Sequence, residues 1–267
     1  MGKPIREARM SEQVLVETAD RIRTIRFNRP TKKNALTQDM YDAAAEALES
    51  ADTDPSVRVS IITGTDGVFT AGNDIVDFTQ RPPDFNEHDV PPVRRFMLAL
   101  LNAQKPVVAA VDGLAIGIGV TLLLHCDLVV ASDRAVFKTP FVDLALAPEF
   151  ASSQLMPRIF GHAVAAELLL LGETWDATRA RETGLVNRVT EPGKLDETAR
   201  FIAAILAAKA PTSLKASKAL MRQPVESIED RMDRENAIFA SQLQSPEFAE
   251  AAAAFLERRA PDFDKLG

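Results

Sequence analysis

KPVVAAVDGLAIGIGVTLLLHC, residues 105–126, decides how the chain is organised. KPVVAAVDG reads as a buried strand closing on a glycine turn, and GIGVTLLLHC as an apolar helix. Glycines 113, 117 and 119 sit between the two. They let a ligand approach the backbone closely and leave the N–H groups of the helix start for an oxygen, so DGLAIGIG is a candidate oxyanion site. Close packing of the turn explains the same glycines. A dinucleotide-binding reading fails, because Leu122 stands where the third glycine or alanine of GxGxxG belongs. A membrane-spanning reading fails too, since the apolar run from Gly113 is shorter than the roughly 20 residues a bilayer requires.

Outward from this stretch, strand, turn and helix recur. QVLVE and RIRTIRFN alternate apolar and polar residues and predict a β-hairpin. The polar loop RPTKKNAL, a helix over TQDMYDAAAEALESAD and a buried strand over VRVSIITG follow. DGVFTAGNDIVDF predicts a loop entering a short helix, RPPDFNEHDVPP a proline-rich surface loop, and PPVRRFMLALLNAQ an amphipathic helix. Downstream, DLVVAS and AVFKT read as short strands, FASSQLMPRIFG and HAVAAELLLLG as helices, and WDATRARETGLVNRV as a segment ending in a strand. From Lys194 onward only helical patterns remain. The expected division is therefore an α/β core over 1–193 and a helical region over 194–267.

Hydrophobic residues make up 46% of the chain and charged residues 26%, the balance of a packed protein rather than a disordered one. A net charge of −7 offers no general attraction for nucleic acid or an anionic membrane, so an anionic ligand needs a local basic patch. Cys126 is the single cysteine and lies in an apolar stretch, which fits a reducing compartment. MGKPIREARMSEQ lacks the apolar core of a signal peptide and DFDKLG is not a peroxisomal address, so a cytoplasmic location is expected.

A second candidate loop is FTAGNDI, residues 69–75, where Asn73 and Asp74 follow a small-residue pair after a buried strand. Asp74 is placed to cap a helix or fix the loop. Two such loops in one chain suggest a two-donor oxyanion hole. His88, His125 and His162 lack metal-ligand spacing, neither GxSxG nor a Walker loop occurs, and Ser152 and Ser153 read as helix N-terminal residues. The stretch TPFVDLALAPEF, residues 139–150, ends in Glu149 directly after a proline. Such an acid either complements a helix N-terminus or is aimed into an apolar pocket for proton transfer.

Together, NRPTKKNAL, FTAGNDI, KPVVAAVDGLAIGIG, HCDLVVASDRAVFKTP and ETGLVNRV resemble, in order and over nearly the whole chain, the crotonase (enoyl-CoA hydratase/isomerase) superfamily. The resemblance implies a ClpP-like spiral of β-β-α units with a helical C-terminal trimerisation region, assembled as a homotrimer or a dimer of trimers. It places the oxyanion donors on the backbone N–H groups of Asn73 and Ile118, holding the thioester oxygen of an acyl-CoA. Contacts to the CoA substrate fall around Lys32, Lys33, Ala35, Ala71, Gly72, Asp74, Ile75 and Gly117, with Phe263 and Lys265 of the tail at the nucleotide end. The two lysines supply the basic patch. No metal and no separate cofactor are implied, since CoA is part of the substrate.

Two departures narrow the chemistry. The two glutamates of the hydratases correspond to Thr121 and Phe141, and neither side chain can activate water or deliver a proton. Glu149 falls where the monofunctional peroxisomal-type 3,2-trans-enoyl-CoA isomerases carry their single catalytic glutamate, in a segment similar to TPFVDLALAPEF; their following glycine is Phe150 here. The implied reaction takes a proton from C2 of a 3-enoyl-CoA and returns it to C4, with Phe141, Leu144, Leu146 and Phe150 lining the acyl side. Hydration, another crotonase-type reaction, or CoA-ester binding without catalysis are the alternatives.

Overall fold

The alternation around residue 20 becomes a two-stranded ribbon in the computed structural model, which describes residues 12–84 and 90–266. Strands β1 (Val14–Ala19) and β2 (Ile22–Phe27) pair antiparallel from Val14↔Phe27 to Ala19↔Ile22. Asp20 and Arg21 between them both have positive φ, as a tight hairpin matching strand twist requires. Helix α1 (Gln38–Thr53) follows, its start capped by the Thr37 hydroxyl accepting from Met40 N–H. Then come β3 (Val59–Thr63), α2 (Ile75–Gln80), α3 (Pro92–Asn102), β4 (Val107–Val111), β5 (Leu114–Ile116) and α4 (Ile118–Thr121). The chain continues through β6 (Leu128–Ser132), β7 (Val136–Lys138), α5 (Ser152–Phe160), α6 (His162–Leu169), β8 (Thr174–Asp176), α7 (Ala177–Glu182) and β9 (Arg188–Thr190). Four helices close it: α8 (Leu195–Ala207), α9 (Pro211–Met221), α10 (Ile228–Gln242) and α11 (Pro246–Glu257).

The strands form a six-stranded sheet, ordered β1-β2-β3-β4-β6-β9 and parallel from β2 onward, and a three-stranded sheet, β5-β7-β8. Every residue of β3 and β4 is buried, as parallel strands covered on both faces should be. Alternate residues serve opposite faces. Ile62, Ala109 and Val111 pack in the cluster of Met40, Tyr41 and Leu48 from α1 and Phe96 and Leu100 from α3. Ile61, Val108 and Ala110 pack with Leu195, Ala199, Ile202 and Ala203 of α8. The helical region expected from 194 thus begins with a helix that covers the second face of the sheet. On α9–α11, by contrast, Met221, Phe255 and Leu256 are largely exposed.

Two strands differ from expectation. Leu114–Ile116, read as part of a glycine turn, pairs with β7, and Trp175 lies buried in β8, which pairs with the other side of β7. Both are three residues long with no run of β-branched residues, and each is adjoined by glycine or helix-forming residues that mask it. The helix expected over GIGVTLLLHC is one α-turn followed by a 3₁₀ segment, Leu122–His125. Among the described residues, no helix is long and apolar enough to cross a membrane. His88 and residues 1–11 lie outside the described residues, as does part of the expected proline-rich loop.

Candidate active site

Three loops at the C-terminal ends of β2, β3 and β4 are sewn together, and Asn34 ties the first to the second. Its side chain donates to Val68 O (2.6 Å) and Thr65 O (3.2 Å) and accepts from Arg29 N–H (2.8 Å), while its carbonyl accepts from Thr70 Oγ1 (2.7 Å). Leu36 N–H donates to Gly72 O and Leu36 O accepts from Asp74 N–H, both at 2.8 Å. This bridge uses the groups flanking Asn73, so the Asn73 N–H points away from Leu36.

The far side of that segment meets β5. Thr70 N–H donates to Leu114 O, and Ile116 N–H to Thr70 O. Gly72 has φ +88°, and a Cβ there would lie 2.8 Å from Ile116 O, so only glycine permits this approach. Gly117 then turns the chain at φ +57°, ψ −115°, with its N–H bonded to Lys138 O of β7 (2.8 Å). Ile118 is the first residue of α4 and its N–H has no intrahelical acceptor. Neither Asn73 N–H nor Ile118 N–H meets an acceptor among the described residues.

One turn beyond Ile118, Thr121 is fully buried, and its hydroxyl donates to Glu149 Oε1 at 2.5 Å. Glu149 Oε2 is buried without a hydrogen-bond partner among the described residues. Burial pushes the Glu149 carboxyl up to about 7, against the opposing effect of the Thr121 hydrogen bond. Tyr41 of α1 donates its hydroxyl to Asn73 Oδ1. Its phenol is raised well above the ordinary value by burial and then by the Glu149 charge.

The Glu149 backbone is anchored by Ser152, whose N–H (3.0 Å) and Oγ (2.7 Å) both donate to the Glu149 carbonyl. Helix α5 begins only at Ser152, so Glu149 precedes the first turn and its side chain bonds Thr121, not the helix N-terminus. Phe150 and Ala151 are both left-handed, at φ 54° and 57°. His125 holds this bend: its ring stacks on Phe150 at 3.8 Å and its Nε2 bonds Phe150 O at 2.9 Å. Because a carbonyl only accepts, Nε2 carries the proton, and burial lowers the His125 pKa and favours the neutral ring.

The enoyl-CoA hydratase/isomerase family model matches residues 17–265. The chain belongs to the enoyl-CoA hydratase/isomerase family. It is 35% identical to enoyl-CoA delta isomerase 3, peroxisomal, of Mus musculus over 95% of this chain and 81% of that protein. It is 33% identical to 2,3-dehydroadipyl-CoA hydratase of Escherichia coli (strain K12), over 95% and 99% of the two chains. A solved structure from Magnetospirillum magneticum AMB-1, provisionally named an enoyl-CoA hydratase/carnithine racemase, superposes with a TM-score of 0.90 at 46% identity, covering 95% of this chain and 99% of that one. The crotonase fold and action on an acyl-CoA thioester follow from membership of the enoyl-CoA hydratase/isomerase family.

Against that family pattern, the residues expected to contact CoA divide into groups. Lys32 and Lys33 are exposed beside Ala71, whose N–H donates to Lys33 O. Ala35 and Asp74 share a partner that the sequence did not single out: Arg29 donates to Ala35 O (3.0 Å) and pairs with Asp74 (2.5 Å). Asp74 also caps α2 through Asp77 N–H, and Arg29 first, then that cap, holds its carboxyl below the usual range. Ile75 opens α2 and is exposed.

Phe141 is buried, whereas Leu144 and Leu146, expected on the acyl side, are 51% and 59% exposed. Leu144 ends the turn Val142–Leu144, and both side chains face solvent in the single chain. Phe263 and Lys265 lie far from the site. Asp264 between them pairs with Arg21, and Arg21 O accepts from Arg58 N–H at the start of β3, so the tail sits at the opposite end of the sheet from Glu149. Besides Arg29, sequence reasoning missed Tyr41, for which the available signal was that it is the sole tyrosine, and it placed Thr121 at a hydratase glutamate position without finding its bond to Glu149.

Proposed function

We propose that the protein is an enoyl-CoA isomerase that converts a 3-enoyl-CoA to the trans-2-enoyl-CoA. The observation that carries this reading is a buried carboxylate with one oxygen unpartnered among the described residues, tied through Thr121 to the helix turn whose first N–H, like that of Asn73, meets no acceptor there. The C2 proton between a thioester and a double bond becomes removable only if the dienolate is stabilised. Donors at Asn73 and Ile118 would supply about 3 kcal/mol each, by comparison with other oxyanion holes. Glu149 takes the proton from C2; the C2–H electron pair delocalises through C3 and C4 and onto the thioester oxygen. The same carboxyl then protonates C4, and the double bond ends in conjugation.

Hydration would need a second acid or base, and Thr121 and Phe141 occupy the positions where the hydratases carry theirs. A Glu149 carboxyl raised to about 7 is a stronger base than a solvated one. The name of the mouse relative agrees with this reaction, while that of the E. coli relative keeps hydration as the second reading. Exposed apolar side chains on α9–α11 further support assembly as a homotrimer or a dimer of trimers.

The test is to incubate wild type and Glu149→Gln with 3-hexenoyl-CoA and follow the conjugated thioester by absorbance, with crotonyl-CoA hydration in parallel. Conjugation by wild type alone, with no appreciable hydration, is expected, and the variant should lose at least about a hundredfold in kcat. Hydration of crotonyl-CoA would favour the second reading. Binding without turnover of either substrate would make the protein a CoA-ester binder.

A further inference from the structure

We infer that Thr121 is a positioning residue that divides the labour of the Glu149 carboxylate: its hydroxyl pins Oε1, so that Oε2 alone carries the proton between C2 and C4. This rests on the isomerase reading. Thr121 Oγ1 and Glu149 Oε1 are 2.5 Å apart, and Thr121 is fully buried, so no water competes for the hydroxyl. Oε2 is also buried and unpartnered among the described residues, and it is the oxygen left for substrate.

A carboxylate on a freely rotating side chain would present either oxygen in many orientations. Here the Glu149 backbone is held by Ser152 and its side chain by Thr121, which leaves one oxygen in one place. The cycle balances without a second acid. Oε2 gains the C2 proton and the carboxyl becomes neutral, while the Thr121 hydroxyl continues to donate to Oε1. Oε2 then releases the proton to C4 and its O–H pair returns to the carboxylate. Thr121, at a position where the resemblance puts a hydratase glutamate, thus steers a base supplied from a different position, Glu149.

Thr121 and Ile118 lie on the same single turn of α4. That turn therefore presents an oxyanion donor at its first residue and the base's anchor at its fourth. The titratable groups around the carboxylate are Tyr41 from α1 and His125, which bonds the carbonyl of the next residue. Burial and the nearby Glu149 charge hold Tyr41 in its protonated form, and burial favours the neutral ring of His125.

The experiment compares wild type with Thr121→Val, Thr121→Ala, Thr121→Ser and Glu149→Gln, using 3-hexenoyl-CoA and recording kcat and KM from pH 5 to 9. Loss of the hydroxyl in Val and Ala is expected to lower kcat about ten- to a hundredfold with KM within about twofold, the range of a hydrogen bond to a charged group. The ascending limb of kcat should move to higher pH in both, because the lost bond favoured the charged form. Thr121→Ser should return both towards wild type. The alanine variant keeps the test decisive if valine disturbs folding. Wild-type kcat and an unmoved limb in Thr121→Ala, with Glu149→Gln inactive, would overturn the role of Thr121 and leave the isomerase intact. Full activity in Glu149→Gln would overturn the isomerase reading and the role of Thr121 with it.

Discussion

Glu149 is held in surroundings that disfavour its charge, and this has a consequence for stability as well as for catalysis. Its carboxyl rises from an ordinary 4.5 to about 7 on folding. Below about pH 4.5 it is protonated both folded and unfolded. Between there and 7 only the folded chain keeps the proton, so stability falls as pH rises through that window. The cost at pH 8 is at most about 3 kcal/mol, taking 1.36 kcal/mol for each unit. Glu149→Gln should therefore unfold at a higher denaturant concentration than wild type at pH 8 and at the same concentration at pH 4. Equal midpoints at pH 8 would mean that the carboxylate is solvated. None of this was legible in APEF, where a helix-end acid and a buried base look alike. The deciding partner, Thr121, lies 28 residues away in the chain, and local pattern does not register such a contact.

At the level of elements, the site depends on how closely two loops approach. Gly72→Ala would drive a Cβ to 2.8 Å from Ile116 O and force a side chain to φ +88°. The expected outcome is a loss of about 1–3 kcal/mol in stability and a larger proportional loss in kcat, since the Asn73 N–H shifts with the loop. Circular dichroism melting and steady-state kinetics on the same sample check both parts. Elements with several periods of pattern were readable: the hairpin, α1, β3, β4 and α8 all occur where apolar spacing puts them. What escaped were β5, inside the glycine-rich turn, and β8, directly before α7, both held by pairing with β7. The close approach of the two glycine loops was nonetheless legible, because glycine next to a buried strand reports it directly.

Across the whole molecule, α8 and the three helices after it play different parts. Ile202 of α8 is packed against the sheet, whereas Phe255 of α11 is 82% exposed. Ile202→Ala should cost about 2–5 kcal/mol of folding stability. Phe255→Ala should leave the stability of the single chain nearly unchanged and shift the protein towards lower mass in light scattering if α11 lies in a subunit interface. The same division bears on Phe263 and Lys265, which resemblance assigned to CoA but which the topology of one chain carries to the far end of the sheet.

The pairing of β7 with both β5 and β8 gives the molecule a built-in optical reporter. Trp175, the sole tryptophan, is buried in β8 opposite Phe137 of β7, and the residue after Phe137 accepts the Gly117 N–H that sets the turn into α4. Its emission therefore follows the integrity of the small sheet on which Ile118 and Thr121 stand, and it does so without a label placed anywhere near the substrate.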